Sequence, residues 1–241
     1  MDDINYLYED DKIIVCAKPS GMATESARIG NMDLVNAVRN HIARSEKNKG
    51  RQGKNLPPYI ALINRLDQPV EGIVLLAKDK KAAANLSTQL REHEISKRYL
   101  AVVCGKPKED SAKLINYLSR NSQGNAIIVE NDSADAKKAV LNYECLKSVE
   151  ELSLIKVELE TGRFHQIRAQ LSNIGCPIYG DNRYGCNMTG KAIMGFGEIA
   201  LCSYQLEFKH PATNKDMSFI IRPSGDIFSK YFTEEIRTFG E

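Results

Sequence analysis

The sequence predicts an α+β fold built on a large mixed, mainly antiparallel sheet. Segments with strand character outnumber those with helical periodicity. The helices do not alternate regularly with the strands, which argues against a doubly wound parallel sheet. Most apolar runs in the second half of the chain also alternate and are rich in β-forming residues, as in Leu152, Leu154, Ile155 and Val157.

Taken in order, Lys12 to Lys18 reads as a short buried strand, ended by the turn residues Pro19 and Gly21. Residues 32–43 predict a helix and 44–57 a polar loop. The apolar segment Tyr59 to Ile63 runs into Asn64-Arg65-Leu66-Asp67, and Gly72 to Ala77 predicts a second buried strand. Asp79 has the position of a helix N-cap, with Ala83, Leu86 and Leu90 at helical spacing behind it. Strands follow over Arg98 to Val103 and over 112–118, 125–130, 138–147 and 152–159. Phe164 to Ile174 is the clearest helix, with Phe164, Ile167, Leu171 and Ile174 as its stripe and Gly175 as its C′ residue. Strands near 199–208 and 216–221 and a short amphipathic helix complete the chain. No repeat and no low-complexity linker divides it, so residues 1–241 are expected to form a single domain.

Composition excludes several function classes. The chain is 42% hydrophobic and 27% charged, ordinary for a soluble globular protein, with a net charge of +2. Its start, Met-Asp-Asp-Ile-Asn, lacks the basic residues of a secretory signal. No stretch approaches the roughly 20 apolar residues of a membrane span. A cytoplasmic protein without membrane contact is expected. The six cysteines contain no Cys-x-x-Cys pair, and the four histidines show no ligand spacing, so no metal site is expected and the thiols read as reduced and packed. A Ser-centred nucleophile elbow and a P-loop are both missing. Residues 39–54 carry Arg39, Arg44, Lys47, Lys49, Arg51 and Lys54 against Glu46 alone. That excess suits phosphates, or is a loop face among Gly, Asn and Ser.

A few positions carry candidate chemistry. Asp67 follows a short apolar strand and stands just before Pro69, which fixes the backbone beyond it. It is either a partly buried functional carboxylate or a turn aspartate. Arg168 lies about 40° around the helix from Phe164, bordering the apolar stripe. It either seeks a carboxylate, Asp67 being one candidate, or snorkels to water. Thr161-Gly162-Arg163 sets a turn and a cation at a helix start, which suits a phosphate or is simply how the helix begins. Pro177 to Gly185 mixes glycines, tyrosines, an acid and an arginine in a tight loop able to stack bases.

Five ordered blocks resemble the RluA-type pseudouridine synthases. Glu9-Asp10-Asp11-Lys12-Ile13-Ile14-Val15 followed by Lys18-Pro19-Ser20-Gly21-Met22 is similar to the family's opening strand and Lys-Pro-x-Gly-Met turn. Asn64-Arg65-Leu66-Asp67-Gln68-Pro69-Val70-Glu71-Gly72 stands where the family has His-Arg-Leu-Asp-x-x-Thr-Ser-Gly. Lys97-Arg98-Tyr99-Leu100 through Gly105 resembles the second motif. Thr161-Gly162-Arg163-Phe164-His165-Gln166-Ile167-Arg168 with Gly175 to Asp181 resembles the third. Ile199 to Pro211 resembles the closing strand. Asn64, Val70, Glu71 and Cys202 depart from the pattern.

The resemblance implies a pseudouridine-synthase-like catalytic domain that isomerises uridine in structured RNA, ribosomal or transfer, without cofactor or metal. It implies Asp67 as nucleophile, Tyr99 stacked on the uracil, and Arg168 paired with Asp67. Arg65 would occupy the space vacated by the target nucleotide, and Leu66, Arg163, His165 and Leu201 would line the substrate site. A monomer with no separate S4 RNA-binding domain is expected. Two other readings remain open. One is an RNA-binding relative without chemistry. The other is an N-glycosidic-bond hydrolase, with Glu71 as the second carboxylate such an enzyme normally needs.

Overall fold

The computed structural model describes residues 4–26, 32–48, 57–131, 133, 135–185 and 199–239. The chain divides into two compact units, Met1–Ile95 with Glu207–Phe219 and Ser96–Leu206 with Ile220–Glu241.

In the first unit, β1 (Asn5–Glu9), β2 (Ile13–Lys18) and β4 (Glu71–Ala77) form consecutive antiparallel ladders, and β3 (Ala61–Leu62) also pairs with β4. Nearly all of β2 and all of β4 are buried, which explains why both read as unbroken apolar runs rather than alternating ones. Their register runs from Ile13 opposite Ala77 to Lys18 opposite Gly72. This brings the ends of the Lys-Pro-x-Gly-Met turn and of the Asp67 turn side by side. Helix α1 (Leu34–Asn48) buries Leu34, Val35, Ala37, Val38 and Ile42. Helix α2 (Lys80–Arg91) starts at Asp79, whose carboxylate accepts from the Ala82 amide at 2.8 Å as the sequence predicts.

The segment 207–219, remote in sequence, is tied into this unit by polar contacts. His210 is buried and its Nε2 lies 2.8 Å from Asp10 Oδ2. His210 Nδ1 accepts from the Ala212 and Thr213 amides, so Nε2 carries the proton and donates to Asp10. Asp10 also accepts from the Tyr8 hydroxyl and the Lys12 and Ile13 amides. Burial raises the Asp10 carboxyl, but the Ile13 and Lys12 amides, then His210 and Tyr8, outweigh it and hold the group below the usual carboxylate range.

The second unit contains the antiparallel series β5 (Ser96–Cys104), β9 (Leu152–Leu159), β8 (Lys137–Val149), β6 (Ser111–Arg120) and β7 (Ala126–Val129). On the other side of β5 lies β10 (Leu201–Lys209), which β11 (Asp216–Ile220) joins. Helix α3 (Gln166–Asn173) packs through Ala169 against Leu118, Ala126 and Ala139. Two short helices, α4 (Asp226–Tyr231) and α5 (Thr233–Arg237), close the chain. No helix among the described residues is long and apolar enough to cross a membrane.

Three expectations change. Helix α1 continues through Asn48, five residues beyond the predicted end, because Arg44, Glu46 and Lys47 are good helix formers despite their polarity. The rest of the predicted loop and of its basic run, residues 49–56, lies outside the described residues. Helix α3 begins at Gln166 instead of Phe164, since His165 takes a left-handed conformation with φ 50°. Cys16, Cys145, Cys176 and Cys202 remain thiols as expected, but Cys104 is disulfide-bonded.

Asp10→Ala is expected to lower stability by about 1.5–3 kcal/mol, the scale of hydrogen bonds to a charged group. With its folded pKa depressed, the Asp10 contribution is present above the unfolded carboxylate pKa and is lost as pH falls through the folded one. Urea denaturation of wild type and variant should therefore differ near neutrality and converge in acid. A constant gap across that range contradicts the assignment.

Candidate active site

Asp67 sits in a turn that the preceding Lys18–Thr24 segment holds at almost every polar position. The Thr24 hydroxyl donates to the Leu66 carbonyl at 2.7 Å and accepts from the Leu66 amide at 3.3 Å. The Gln68 side-chain amide donates to the Gly21 carbonyl, and the Ser20 hydroxyl donates to the Pro69 carbonyl. The Val70 amide closes the turn onto the Asp67 carbonyl at 3.0 Å. On the strand side, Asn64 is buried; its amide donates to the Ile73 carbonyl at 3.0 Å and accepts from the Leu75 amide at 2.8 Å. Gly72 has φ 135°, a conformation that L side chains rarely adopt, at the point where the turn becomes β4.

Lys18 lies beneath this turn at 1% exposure. Its ammonium donates to the carbonyls of Pro19 (2.9 Å), Met22 (2.7 Å) and Gln68 (3.1 Å). Burial pushes its pKa down to about 8, against the opposing pull of the Asp67 and Glu71 carboxylates. Three carbonyls use all three ammonium protons, and with a pKa of about 8 Lys18 stays mostly charged near neutral pH. Asp67 is half-buried, Leu66 buried and Arg65 exposed. The buried Glu71 supplies the second carboxylate.

Tyr99, Arg163, His165, Arg168 and Leu201 belong to the second unit. Tyr99 and Leu201 are buried on β5 and β10. Arg168 is buried and forms a two-pronged pair with Asp181, Nε to Oδ2 at 2.7 Å and Nη2 to Oδ1 at 2.8 Å. Asp181 in turn accepts the Arg183 and Tyr184 amides on Oδ1, which ties the loop to the pair. The guanidinium also lies 5.1 Å from the Tyr184 ring centroid. The Tyr184 hydroxyl accepts from the Ala126 amide at 2.7 Å and lies 2.9 Å from His165 Nδ1. The His165 ring stacks on the exposed Phe164 at a centroid separation of 3.7 Å. Arg163 is exposed, and its Nε donates to the Lys138 carbonyl.

The second unit thus brings His165 and Arg168 together around Tyr184 and Asp181, and aims Arg163 toward β8. One sequence reading needs correction. Arg168 does not border an apolar stripe. The helix is buried on every side from Gln166 to Leu171, because Gln166 and Gln170 hydrogen-bond to strand carbonyls or side chains. The 177–185 loop locks Arg168 through Asp181. Sequence reasoning missed Asp181 as a partner and Lys18 as a buried charge. Arg168 lies 13 residues from Asp181 and Gln68 lies 50 from Lys18, and the only local signal was an acid and a lysine inside turn motifs.

Residues 12–173 match the family model described as RNA pseudouridylate synthase. The chain is 32% identical over 222 residues to a ribosomal large subunit pseudouridine synthase D of Zymomonas mobilis, covering 90% of this chain and 68% of that protein. It is 33% identical over 180 residues to a ribosomal large subunit pseudouridine synthase C of Rickettsia bellii, covering 74% and 56%. The human RNA pseudouridylate synthase domain containing 4 superposes with a TM-score of 0.73 at 22% identity, covering 98% and 94%, which shows a shared fold.

Two outcomes follow from this geometry. Asp181→Ala leaves the buried Arg168 without its fork and should cost about 3–5 kcal/mol in denaturant unfolding. A loss below about 1 kcal/mol would show that Arg168 does not depend on the fork. In lysine side-chain NMR, Lys18 should titrate near pH 8, well below the exposed lysines. Its folded pKa lies under the unfolded 10.5, so its burial costs stability below pH 8 and that cost is relieved as pH rises from there to the unfolded value. A midpoint at the ordinary lysine value would contradict this.

Proposed function

The chain belongs to the RNA pseudouridylate synthase family, an isomerase family acting on uridine in RNA, and from that premise we propose that Asp67 is its nucleophile. The observation that carries the reading is the Asp67 turn, pinned on both sides and placed over a buried ammonium. A carboxylate held in that way can meet a sugar carbon without first reorganising its own loop.

The reaction begins with cleavage of the C1′–N1 bond of the target uridine. Asp67 either adds to C1′ or assists formation of a glycal. The freed uracil turns, and C5 bonds to C1′ as the Asp67–C1′ bond breaks or, on the glycal route, as the proton taken from C2′ is returned to it. The proton leaves C5 and N1 gains one, so substrate and product have the same composition and no cofactor enters. Tyr99 is assigned to stack on the uracil, and Arg168 to balance the charge of Asp67. The fork with Asp181 supports that role, since it fixes the guanidinium plane and leaves the Nη1 corner in a defined direction. Arg65, exposed beside Asp67, takes the place of the extruded nucleotide. Leu66, Arg163, His165 and Leu201 contact the substrate. The target must be unstacked at a cost of a few kcal/mol, which favours loops over regular duplex.

Both units act together as one catalytic domain over residues 1–241, as a monomer in the cytoplasm. Ribosomal RNA is the favoured substrate over transfer RNA, given the names of the two bacterial relatives.

The test is to deplete the protein in its host and map chemically labelled pseudouridines across ribosomal and transfer RNA. Loss of one or a few sites, restored by wild type but not by Asp67→Asn, is expected. Asp67→Asn should still bind RNA. Retained turnover removes Asp67 from its role, and release of free uracil by the wild type points instead to hydrolysis. Tyr99→Phe should keep the stacking; full activity there excludes an essential hydroxyl.

A further inference from the structure

Lys97 on β5 is a buried cation that the Asp67 chemistry does not use. It is 8% exposed and makes no hydrogen bond or ion pair with the described residues. Its neighbour Arg98, by contrast, lies 3.4 Å from Glu158. Burial lowers the Lys97 pKa, and no carboxylate contributes an opposing pull. An ammonium largely removed from water without a partner is unfavourable. A protein that keeps one has a use for it in another state.

The surroundings indicate which state. Lys97 and Tyr99 are two residues apart on β5, and both are buried on the same face of the strand. The Lys97 ammonium faces Gly162, where an added Cβ would come 3.6 Å from Nζ. Gly162 is itself exposed, in the turn between Thr161 and Arg163. With no side chain at 162, a ligand can approach the backbone there and reach the ammonium from the solvent side. The exposed Arg163 stands next to the same opening.

We propose that Lys97 is the binding site for a backbone phosphate of the RNA substrate, reached over Gly162. The inference rests on the pseudouridine synthase reading for the identity of the ligand as RNA. A phosphate carries the full negative charge that a desolvated ammonium lacks, whereas a uracil carbonyl offers only a dipole. Binding thus supplies the partner that the described residues do not provide, and it registers the strand next to Tyr99.

The experiment compares wild type, Lys97→Met, Lys97→Arg and Gly162→Val. Binding of a fluorescein-labelled oligouridylate of about 20 nucleotides is followed by anisotropy over a range of salt concentrations, together with thermal melting of the free proteins. Lys97→Met should weaken binding by at least about tenfold and reduce the magnitude of the slope of log K against log salt by about 0.7, the value for one single-strand phosphate. Its melting temperature should hold or rise, because an unpaired buried charge has been removed. Lys97→Arg should recover the slope. Gly162→Val keeps the charge but covers it, and should weaken binding in the same way.

Unchanged affinity and slope in Lys97→Met overturns the proposal. So does a fall in melting temperature, which marks Lys97 as a structural cation. A loss of affinity with an unchanged slope also overturns it, since that indicates a neutral acceptor. Pseudouridine formation by the wild type is scored separately, so failure of the functional reading is distinguishable from failure of the Lys97 assignment.

Discussion

A cation taken out of water is unfavourable unless it is given oxygen atoms, and the Lys18 and Asp67 turns depend on how this is done. Lys18 receives three carbonyls, one each from Pro19, Met22 and Gln68. Two of these come from its own turn and the third from the Asp67 turn. The ammonium is therefore a rivet: it is satisfied only when both turns are in place. Arg168 receives a carboxylate instead, and its planar fork matches the two oxygens of Asp181. The carbonyl tripod suits a compact ammonium with three rotatable donors, and the fork suits a rigid guanidinium. Exchanging the two residues would satisfy neither site.

Packing places these charges before they can be paired. Strands β2 and β4 bury nearly every residue, so both faces of the pair are packed in the register that sets Ile13 opposite Ala77. The register ends with Lys18 opposite Gly72, which delivers the ammonium to the turn. In the second unit, Gln166 and Gln170 fasten α3 to β8 and β6. The helix is therefore buried on all sides without stranding its polar groups, and Arg168 has no route to water. A snorkelling arginine is thereby excluded, and the Asp181 loop becomes obligatory.

Much of this was legible along the chain. The strands from β4 to β9 fall within two or three residues of their predicted limits, and Asp79 caps α2 as its position indicates. Local patterns encode local structure, and these elements are local. The start of α3 was not legible, because the left-handed His165 is held by interactions with Phe164 and Tyr184 that periodicity does not contain. The end of α1 was missed because polarity reads as a loop signal, although polar residues of good propensity equally continue a helix. Asp181 and Lys18 were invisible as partners for a different reason: the contacts to Arg168 and Gln68 span 13 and 50 positions. A one-dimensional reading could find them only through motifs, which name residues without saying what they touch.

Matching donors to acceptors also explains why the departures from the family pattern at Asn64 and Glu71 do not dismantle the Asp67 turn. A neutral histidine offers one ring donor and one ring acceptor. The Asn64 amide offers the same pair, and directs it to the Ile73 carbonyl and the Leu75 amide. A donor and an acceptor are thus both satisfied at the turn's base. Glu71 adds a buried negative charge, but it adds it where Lys18 already provides a positive one. The turn therefore tolerates a carboxylate where the family usually has a hydroxyl, because the cation beneath serves two acids instead of one. On this argument the departures alter the local field around the turn and leave the position of Asp67, the proposed nucleophile, intact.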